Sequence, residues 1–238
     1  MYTNGYALGF NKISSGQWEM VTGVSTPYTD DYVYNFSDEG DYPIVKAGET
    51  YTYDLLLRTG NSILQNAILY DTLETDGKWS GTFQSVDLSY LEDVGITGTV
   101  YYSESDAPDP DLTSGDWSTT LEPEKVKSIA IDLSGSEVPA GSTLDVLVNL
   151  TAPTDAPTAG IAAGNHYTAI ATVLDGTSGT SAIDSNLTAP PAYVSFEGAK
   201  VESTHDIKIN KTAADTGAAL QGATFQAYGK ADDGSRGN

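Results

Sequence analysis

Apolar and polar residues alternate along most of the chain, which is the two-residue period of a half-buried β-strand. The clearest run places Tyr51, Tyr53, Leu55 and Leu57 on one face of a strand. One short segment, Ser89–Asp93, has the composition of a helical turn. The alternating pattern predicts further strands in residues 6–10, 17–21, 67–71, 97–102, 126–133, 144–150, 167–174 and 192–196.

Glycine, proline and asparagine mark the connections between these strands. Turns are predicted at residues 46–49, 60–62 and 139–141, and a longer loop at 152–163. Short strands separated by such turns are typical of a β-sandwich. We therefore expect an all-β fold, in which residues 1–200 form a Greek-key or immunoglobulin-like sandwich.

Two acidic loops interrupt the strand pattern, at residues 30–41 and 103–117. Clustered carboxylates are ligands that Ca²⁺ prefers. However, the first loop lacks the aspartate spacing and the matching glutamate of an EF-hand, and the second contains Pro108 and Pro110, which are typical of an exposed connection. We expect both to be solvated loops, and we predict no metal site and no cofactor.

Charge and composition argue against several classes of function. The net charge is −22, from 33 acidic and 11 basic residues, so neither nucleic acid nor an anionic membrane surface is an expected partner. Hydrophobic residues make up 39% of the chain, which is enough to build a core. There is no cysteine, so stability cannot depend on disulfides.

Neither end reads as a signal peptide or a sorting signal, and we expect both ends to continue in a longer protein.

The C-terminal residues 207–238 carry a separate pattern that follows a predicted linker at 201–206. Its characteristic positions are Ile207, Ile209, Lys211, Asp215, Gly217, Leu220, Gly222, Ala223 and Phe225. This order resembles the start of a Cna-B (SpaA-like) repeat, a small β-sandwich stalk module of Gram-positive adhesins and pilins. The resemblance implies a role for Lys211, because family members often use a lysine at this place for an isopeptide bond to an asparagine of the last strand, helped by a buried acid. We expect that asparagine and that acid beyond Asn238, so that residues 207–238 form a truncated module.

A second resemblance lies within the large module, in residues 47–74. It is similar to DUF11-type sandwich repeats of bacterial surface proteins, where a glycine precedes a tyrosine-bearing strand and the next strand ends in Asp-x-Leu. The run Arg58-Thr59-Gly60 stands where those repeats have Asn-Thr-Gly. The matching positions are Gly48, Tyr53, Asn61, Asp71 and Leu73.

Motifs of enzymes are missing from the sequence, which has no cysteine nucleophile, no Gly-x-Ser-x-Gly elbow and no HExxH zinc motif. We therefore expect no enzyme and name no catalytic residue.

A self-made lysine–asparagine isopeptide bond needs a neutral amine and a nearby protonated carboxyl. In the large module Lys12 follows the first predicted strand, and Asn149 and Asn165, near late strands, are its candidate partners. The alternative is that Lys12 is an ordinary surface lysine.

These observations predict a structural stalk or adhesion module of an extracellular, cell-wall-anchored bacterial surface protein or pilin. Its expected partners are the neighbouring modules of the same polypeptide, and the anchor is expected in a C-terminal region beyond this chain. The alternative is that the large module itself binds a host glycan or an extracellular-matrix protein. Tyrosine supports that alternative, because 15 tyrosines exceed what one sandwich core needs and exposed aromatics are typical of binding surfaces.

Overall fold

A computed structural model of the chain describes residues 18–34, 42–155, 162–175 and 182–197. The chain divides into two units, Met1–Val201 and Glu202–Asn238, and every described residue belongs to the first. The predicted linker, the truncated module and the lysines Lys12 and Lys211 lie outside the described residues. The identity of the two modules therefore stays a prediction.

Nearly all of the regular structure in the described residues is β-strand, as the alternating pattern predicts. One short helix, α1 (Ser89–Asp93), lies where the helical turn is predicted, and a single 3₁₀ turn spans Pro123–Lys125. The strands are β1 (Trp18–Ser25), β2 (Ile44–Val45), β3 (Thr50–Thr59), β4 (Ser62–Thr72), β5 (Thr82–Asp87), β6 (Thr99–Ser103), β7 (Ser128–Asp132), β8 (Thr143–Thr151), β9 (Ala162–Asn165), β10 (Thr168–Asp175), β11 (Ala182–Thr188) and β12 (Ala192–Phe196).

Two large sheets and one small sheet organise these strands. The larger two have the orders β1-β3-β8-β5 and β11-β10-β4-β7-β6, and the small sheet has the order β2-β12-β9. All described strand pairs are antiparallel except β2 with β12, which run parallel. The all-β sandwich is confirmed, whereas the small third sheet is not part of the predicted fold.

The core lies between the inward faces of the two large sheets. Tyr53 and Leu55 of β3 pair in register with Val148 and Val146 of β8, and all four side chains are fully buried. Leu69 of β4 and residues of β7 such as Ile131 approach from the other sheet and join the same apolar cluster. The alternation read from the sequence therefore identifies the buried face of each of these strands.

A β-bulge interrupts β4 where it pairs with β10. The register shifts between Ile170 and Thr172 of β10, and Asn66 of β4 adopts a positive φ of 52°. Asparagine tolerates this left-handed backbone conformation better than most residues. As a result, Leu64 and Ala67 both point into the core although three positions separate them.

Four strands are missing from the prediction, β2, β5, β9 and β11, and each has a weak pattern. In β5 the only buried side chain is that of Phe83, because the strand lies at the edge of its sheet. In β9 all four residues are buried, but the sequence Ala-Ala-Gly-Asn reads as a loop. The predicted loop 152–163 is therefore wrong at its end, where Ala162 and Ala163 begin β9.

Candidate functional site

A group of buried polar residues lies at one end of the core, and we call it the buried cluster. It consists of Tyr51 and Tyr53 of β3, Asp71 of β4, Glu74 just after β4, and Asn165 at the end of β9. Each of these side chains is at most 4% exposed. Because buried polar groups are costly unless they are hydrogen-bonded, the partners of each group decide what the cluster can do.

Asn165 joins the two halves of the buried cluster. Its Nδ2 donates to Asp71 Oδ2 at 2.9 Å, and its Oδ1 accepts from the backbone N–H of Glu74 at 2.7 Å. Glu74 has a positive φ of 54°, a strained conformation for glutamate that these contacts hold in place. Asp71 Oδ1 is buried and has no hydrogen-bond partner among the described residues.

The Glu74 carboxylate gathers three donors from two different segments. The hydroxyls of Tyr51 and Tyr53 donate to Oε1 at 2.5 and 3.0 Å, and the backbone N–H of Gly81 donates to Oε2. The two tyrosine rings meet edge to face, with centroids 5.7 Å apart. The connection after β4 is thus fastened to the centre of β3.

Both carboxyls of the buried cluster are hard to ionise. Burial raises the pKa of Asp71 to about 7, against an opposing effect of its hydrogen bond with Asn165. Burial likewise raises the pKa of Glu74 to about 7, although the three hydrogen bonds that it accepts lower it. Burial and the neighbouring Glu74 raise the pKa values of Tyr51 and Tyr53 well above 10.0. Near neutral pH the two carboxyls are therefore partly protonated.

The segment between β4 and β5 packs so tightly on β9 that it requires glycine. Backbone hydrogen bonds join Asp76 to Gly164 and Lys78 to Ala162. A Cβ atom on Gly77 would lie 2.5 Å from the Cα of Ala163, closer than carbon atoms approach without displacement. Asp76 also pairs through Oδ2 with Nδ1 of His166, the residue after β9.

A third buried carboxyl, Asp54 of β3, lies on the opposite face of that strand. Its Oδ2 accepts from the hydroxyl of Tyr34 at 3.0 Å. Burial, together with the nearby Asp145 of β8, raises its pKa to about 8. Asp145 itself is half-buried, and burial raises its pKa. The two carboxyls form an acidic pair, distinct from the buried cluster.

The outer face of the five-stranded sheet carries a second feature, which we call the outer groove. The loop 103–117 folds over this face: the Tyr70 hydroxyl donates to Pro110 O at 2.7 Å, and Trp117 Nε1 donates to Asp109 O at 2.6 Å. Two adjacent cavities of about 250 and 270 Å³ lie beside the loop and share Tyr70, Thr72 and Thr168 in their walls.

In the acidic loop 103–117, aspartate carboxylates accept hydrogen bonds from backbone N–H groups of the same loop. Asp109 Oδ1 accepts from the N–H of Asp111 and Asp111 Oδ1 accepts from the N–H of Thr113, each at 2.9 Å. Asp116 Oδ2 accepts from the N–H of Asp109, also at 2.9 Å. Within the described ranges, no group of three or more His, Cys, Asp or Glu side chains is arranged to hold a metal ion.

Of the sequence-predicted site residues, the structure describes Asn149 and Asn165. Asn149 is half-buried on β8, where it accepts from Thr52 Oγ1 at 2.7 Å and donates to Ser85 Oγ at 3.1 Å. Neither partner is acidic. Asn165, in contrast, lies against a carboxyl. Asp71 and Glu74 are not among the predicted site residues, although Asp71 occupies an inward position of the predicted strand 67–71, where a charged residue is unusual.

Comparison with known proteins gives only distant similarity. No protein-family model matches the chain, and no curated protein matches its sequence. Among solved structures it is similar to the major pilin subunit BcpA of Bacillus cereus, with 8% identity over 75% of this chain and 40% of that chain, and a TM-score of 0.39. It is also similar to the C-terminal domain of the antigen I/II-family protein AspA of Streptococcus pyogenes, with 15% identity over 74% of this chain and 46% of that chain, and a TM-score of 0.36.

A third similar structure contains domains D2 and D3 of the major pilin SpaD of Corynebacterium diphtheriae, with 10% identity over 73% of this chain and 51% of that chain, and a TM-score of 0.37. The chain thus spans about half or less of the length of these three structures. In the part of the chain that the structure describes, no helix has the length and apolar character needed to cross a membrane.

Proposed function

We propose that the chain is a structural stalk or adhesion module on the surface of a Gram-positive bacterium, anchored to the cell wall through a region beyond this chain. Its neighbours in the same polypeptide are its partners. The cysteine-free sandwich, the strongly acidic composition and the Cna-B-like order from Ile207 to Phe225 support this proposal. The observation that carries it is the setting of Asn165, since a fully buried amide hydrogen-bonded to a carboxyl whose pKa burial raises to about 7 suits a load-bearing crosslink.

The proposed crosslink is an isopeptide bond between Lys12 and Asn165. The neutral amine of Lys12 attacks Cγ of Asn165, a C–N bond forms, the bond from Cγ to Nδ2 breaks, and ammonia leaves. The backbone N–H of Glu74, 2.7 Å from Oδ1, suits stabilisation of the developing negative charge on that oxygen. Asp71 suits the role of proton relay in this step. Its ionised carboxylate takes the proton that the amine loses on Oδ1, which has no partner among the described residues. The carboxyl, with Oδ2 at 2.9 Å from Nδ2, then passes a proton to the leaving ammonia.

The intact mass of the purified chain tests the crosslink. We expect a mass about 17 Da below that calculated from the sequence, the mass of one ammonia lost when a buried amine condenses with the amide. Asn165→Ala should restore the calculated mass, whereas Asn149→Ala, the matched control, should keep the loss. The calculated mass in the unaltered chain would refute the crosslink. Lys211→Ala should likewise keep the loss, because the proposed bond uses Lys12.

Surface exposure is tested separately, by immunogold labelling of intact cells of the source bacterium. We expect label at the cell periphery without permeabilisation. Label that appears only after permeabilisation would contradict the surface role whatever the mass shows.

The second proposed function is that the large module binds a host glycan. The observation that favours it is the outer groove, which combines aromatic and hydroxyl-bearing side chains around Tyr70. The alternative ligand in this second proposal is an extracellular-matrix protein. The two ligands are separated by direct binding measurements with immobilised glycans and with purified matrix proteins.

A further inference from the structure

We infer that the outer groove is a binding site for an uncharged oligosaccharide, with Tyr70 at the centre of the site and Thr168, Asp106 and His166 as its polar contacts. This inference rests on the second proposed function and specifies its ligand and its location. It is independent of the proposed crosslink, because Asn165 and Lys12 take no part in it.

The polar end of the outer groove contains polar side chains that make no hydrogen bonds within the described structure. Thr75, Asp106 and Thr168 line this end, and their side chains make no hydrogen bond to any described residue. His166 reaches the same cavity, and its Nδ1 is engaged by Asp76. Its other ring nitrogen, Nε2, makes no hydrogen bond to a described residue. Hydroxyls, a carboxylate and an imidazole that converge on one cavity are the groups that hydrogen-bond the hydroxyls of a sugar.

The opposite end of the outer groove is more apolar, although Ser128 and Asn186 also line it. Pro108 and Pro110 of the loop and Ile170 of β10 line it together with Trp117. The Trp117 ring lies 6.1 Å from the Tyr70 ring, centroid to centroid. An aromatic ring flanked by polar groups suits a ligand with one apolar face and many hydroxyls, which is the chemistry of a pyranose ring.

Charge decides which sugars fit. His166 is the only basic residue among the described residues that line the two cavities. Asp106 lies in the wall, and the negative charges of Asp132 and Asp111 act on Tyr70 strongly enough to add to the effect of burial in raising its pKa. With a net charge of −22 in addition, sulfated or carboxylated glycans would be repelled. The site therefore favours neutral sugars.

A peptide fits the outer groove less well than a sugar. Extended peptides gain most of their affinity by adding a strand to a free sheet edge. The floor of the groove is formed by β4, β7 and β10, and each of these strands is already paired on both sides. The edge strand β11 contributes Asn186 to the wall. A ligand on the floor has side chains to bind but no free backbone edge. This favours a ligand that recognises side-chain groups through hydroxyls.

The test is a titration of the ¹⁵N-labelled full chain with three neutral probes, lactose, N-acetyllactosamine and maltotriose, followed by NMR chemical-shift changes. We expect at least one probe to shift amide signals of the loop 103–117 and of residues 68–72 and 166–170. A heparin tetrasaccharide at the same concentration should leave these signals unchanged.

Substitutions locate the binding. Thr168→Val removes only a solvent-facing hydroxyl and should weaken binding of the active probe by about 5-fold or more, while Thr82→Val, on an exposed position of β5, should not. Tyr70→Ala should abolish binding, and Tyr90→Ala, which removes a ring that is 49% exposed elsewhere, should leave it unchanged. Asp106→Asn supplies a third variant that should weaken binding while it leaves the folded spectrum intact.

Two outcomes would overturn the inference in different ways. If no neutral probe shifts any signal at millimolar concentration, the outer groove is not a sugar site, and the stalk function, which rests on the mass measurement, is unaffected. If a probe shifts signals only outside the groove, or if Thr168→Val and Tyr70→Ala bind as well as the unaltered chain, glycan binding stands but its location in the outer groove is wrong.

Discussion

Adjacent residues of β4 belong to two different kinds of site. Asp71 points into the core and belongs to the buried cluster, whereas Tyr70 and Thr72 point outward and form part of the outer groove. Inside, nearly every polar atom has a partner: Asn165 uses both ends of its amide, and the Glu74 carboxylate accepts three hydrogen bonds. Outside, several polar side chains have no partner among the described residues.

The difference shows how polar residues of one strand divide between stability and binding. A buried polar group that is fully hydrogen-bonded holds elements together, and its loss leaves other buried groups unsatisfied. A polar group at a cavity without a protein partner contributes little to folding and is available to a ligand. Substitutions in the buried cluster should therefore change stability, and substitutions in the outer groove should change binding.

The largest effect is expected for Glu74→Ala. The change leaves the buried hydroxyls of Tyr51 and Tyr53, and the N–H of Gly81, without an acceptor. We expect a loss of about 3–5 kcal/mol in the free energy of unfolding. Urea denaturation followed by tryptophan fluorescence measures it. Glu74→Gln keeps an acceptor oxygen and should lose less than half as much. The exposed Glu92→Ala is the surface control and should stay within about 0.5 kcal/mol.

The next largest effect is a loss of stability as the pH rises. Asp71 and Glu74 have pKa values of about 7 when folded and about 4 when unfolded, so the folded state binds more protons between these values. The contribution of these two groups to the free energy of unfolding is therefore complete near pH 4 and falls by several kcal/mol as the pH rises to about 8. Urea midpoints at a series of pH values measure this fall.

The pH series has its own control. Repulsion among the surface carboxylates acts in the same direction, but it is also present in a variant with Asp71→Asn and Glu74→Gln. If the buried cluster is responsible, this double variant should lose much less stability between pH 5 and 8 than the unaltered chain. Parallel curves for the two proteins would show that the cluster does not titrate in this range.

A smaller loss is expected for Gly77→Ala. The added methyl group would meet the backbone of Ala163 at 2.5 Å. The segment after β4 must move away from β9 to admit it, which should cost about 1–3 kcal/mol. Gly115→Ala is a matched control in the loop 103–117, because a Cβ there meets nothing within 4 Å. Equal stability of the two variants in thermal unfolding would mean that the segment after β4 does not pack on β9 as described.

The smallest effect on stability is expected for Tyr70→Phe. The change removes the hydrogen bond of the Tyr70 hydroxyl to Pro110 O but keeps the ring, so we expect a loss of about 0.5–1.5 kcal/mol. Hydrogen exchange of the loop 103–117 should become faster, while that of β3 and β8 should not change. A loss as large as that of Glu74→Ala would remove the distinction between the two regions.

The sequence predicts those parts of the fold that depend on strong alternation. It identifies the inward faces of β3 and β8 because long apolar side chains recur at every second position. It misses β9 because alanine and glycine carry little hydrophobic signal, although tight packing against Gly77 and Asp76 requires such small residues. It also misses β11, whose sequence Ala-Ile-Asp-Ser-Asn-Leu-Thr is mostly polar at the edge of its sheet.

The candidate sites are less accessible from sequence than the fold. Asn165 is among the predicted residues, but its neighbours Asp71 and Glu74 are far from it along the chain, and only the pairing of β4 with β10 and the path of β9 bring them together. Nothing in the sequence indicates that Glu74 is buried, because it lies after the end of β4 and its burial depends on the path of the connection that follows. Asp71 does give one, since an aspartate at an inward position demands a partner.

The single extra residue at Asn66 decides which face each later residue of β4 occupies. Because strand side chains alternate, a β4 that kept Asn66 but lost the bulge would turn Asp71 to the outside and bring Tyr70 and Thr72 into the core. The buried cluster and the outer groove would then be lost in one step, although neither contains Asn66. Deletion of Asn66 would instead give a regular strand with the same inward residues. Related sequences that keep both sites should therefore have either the bulge or a segment that is one residue shorter.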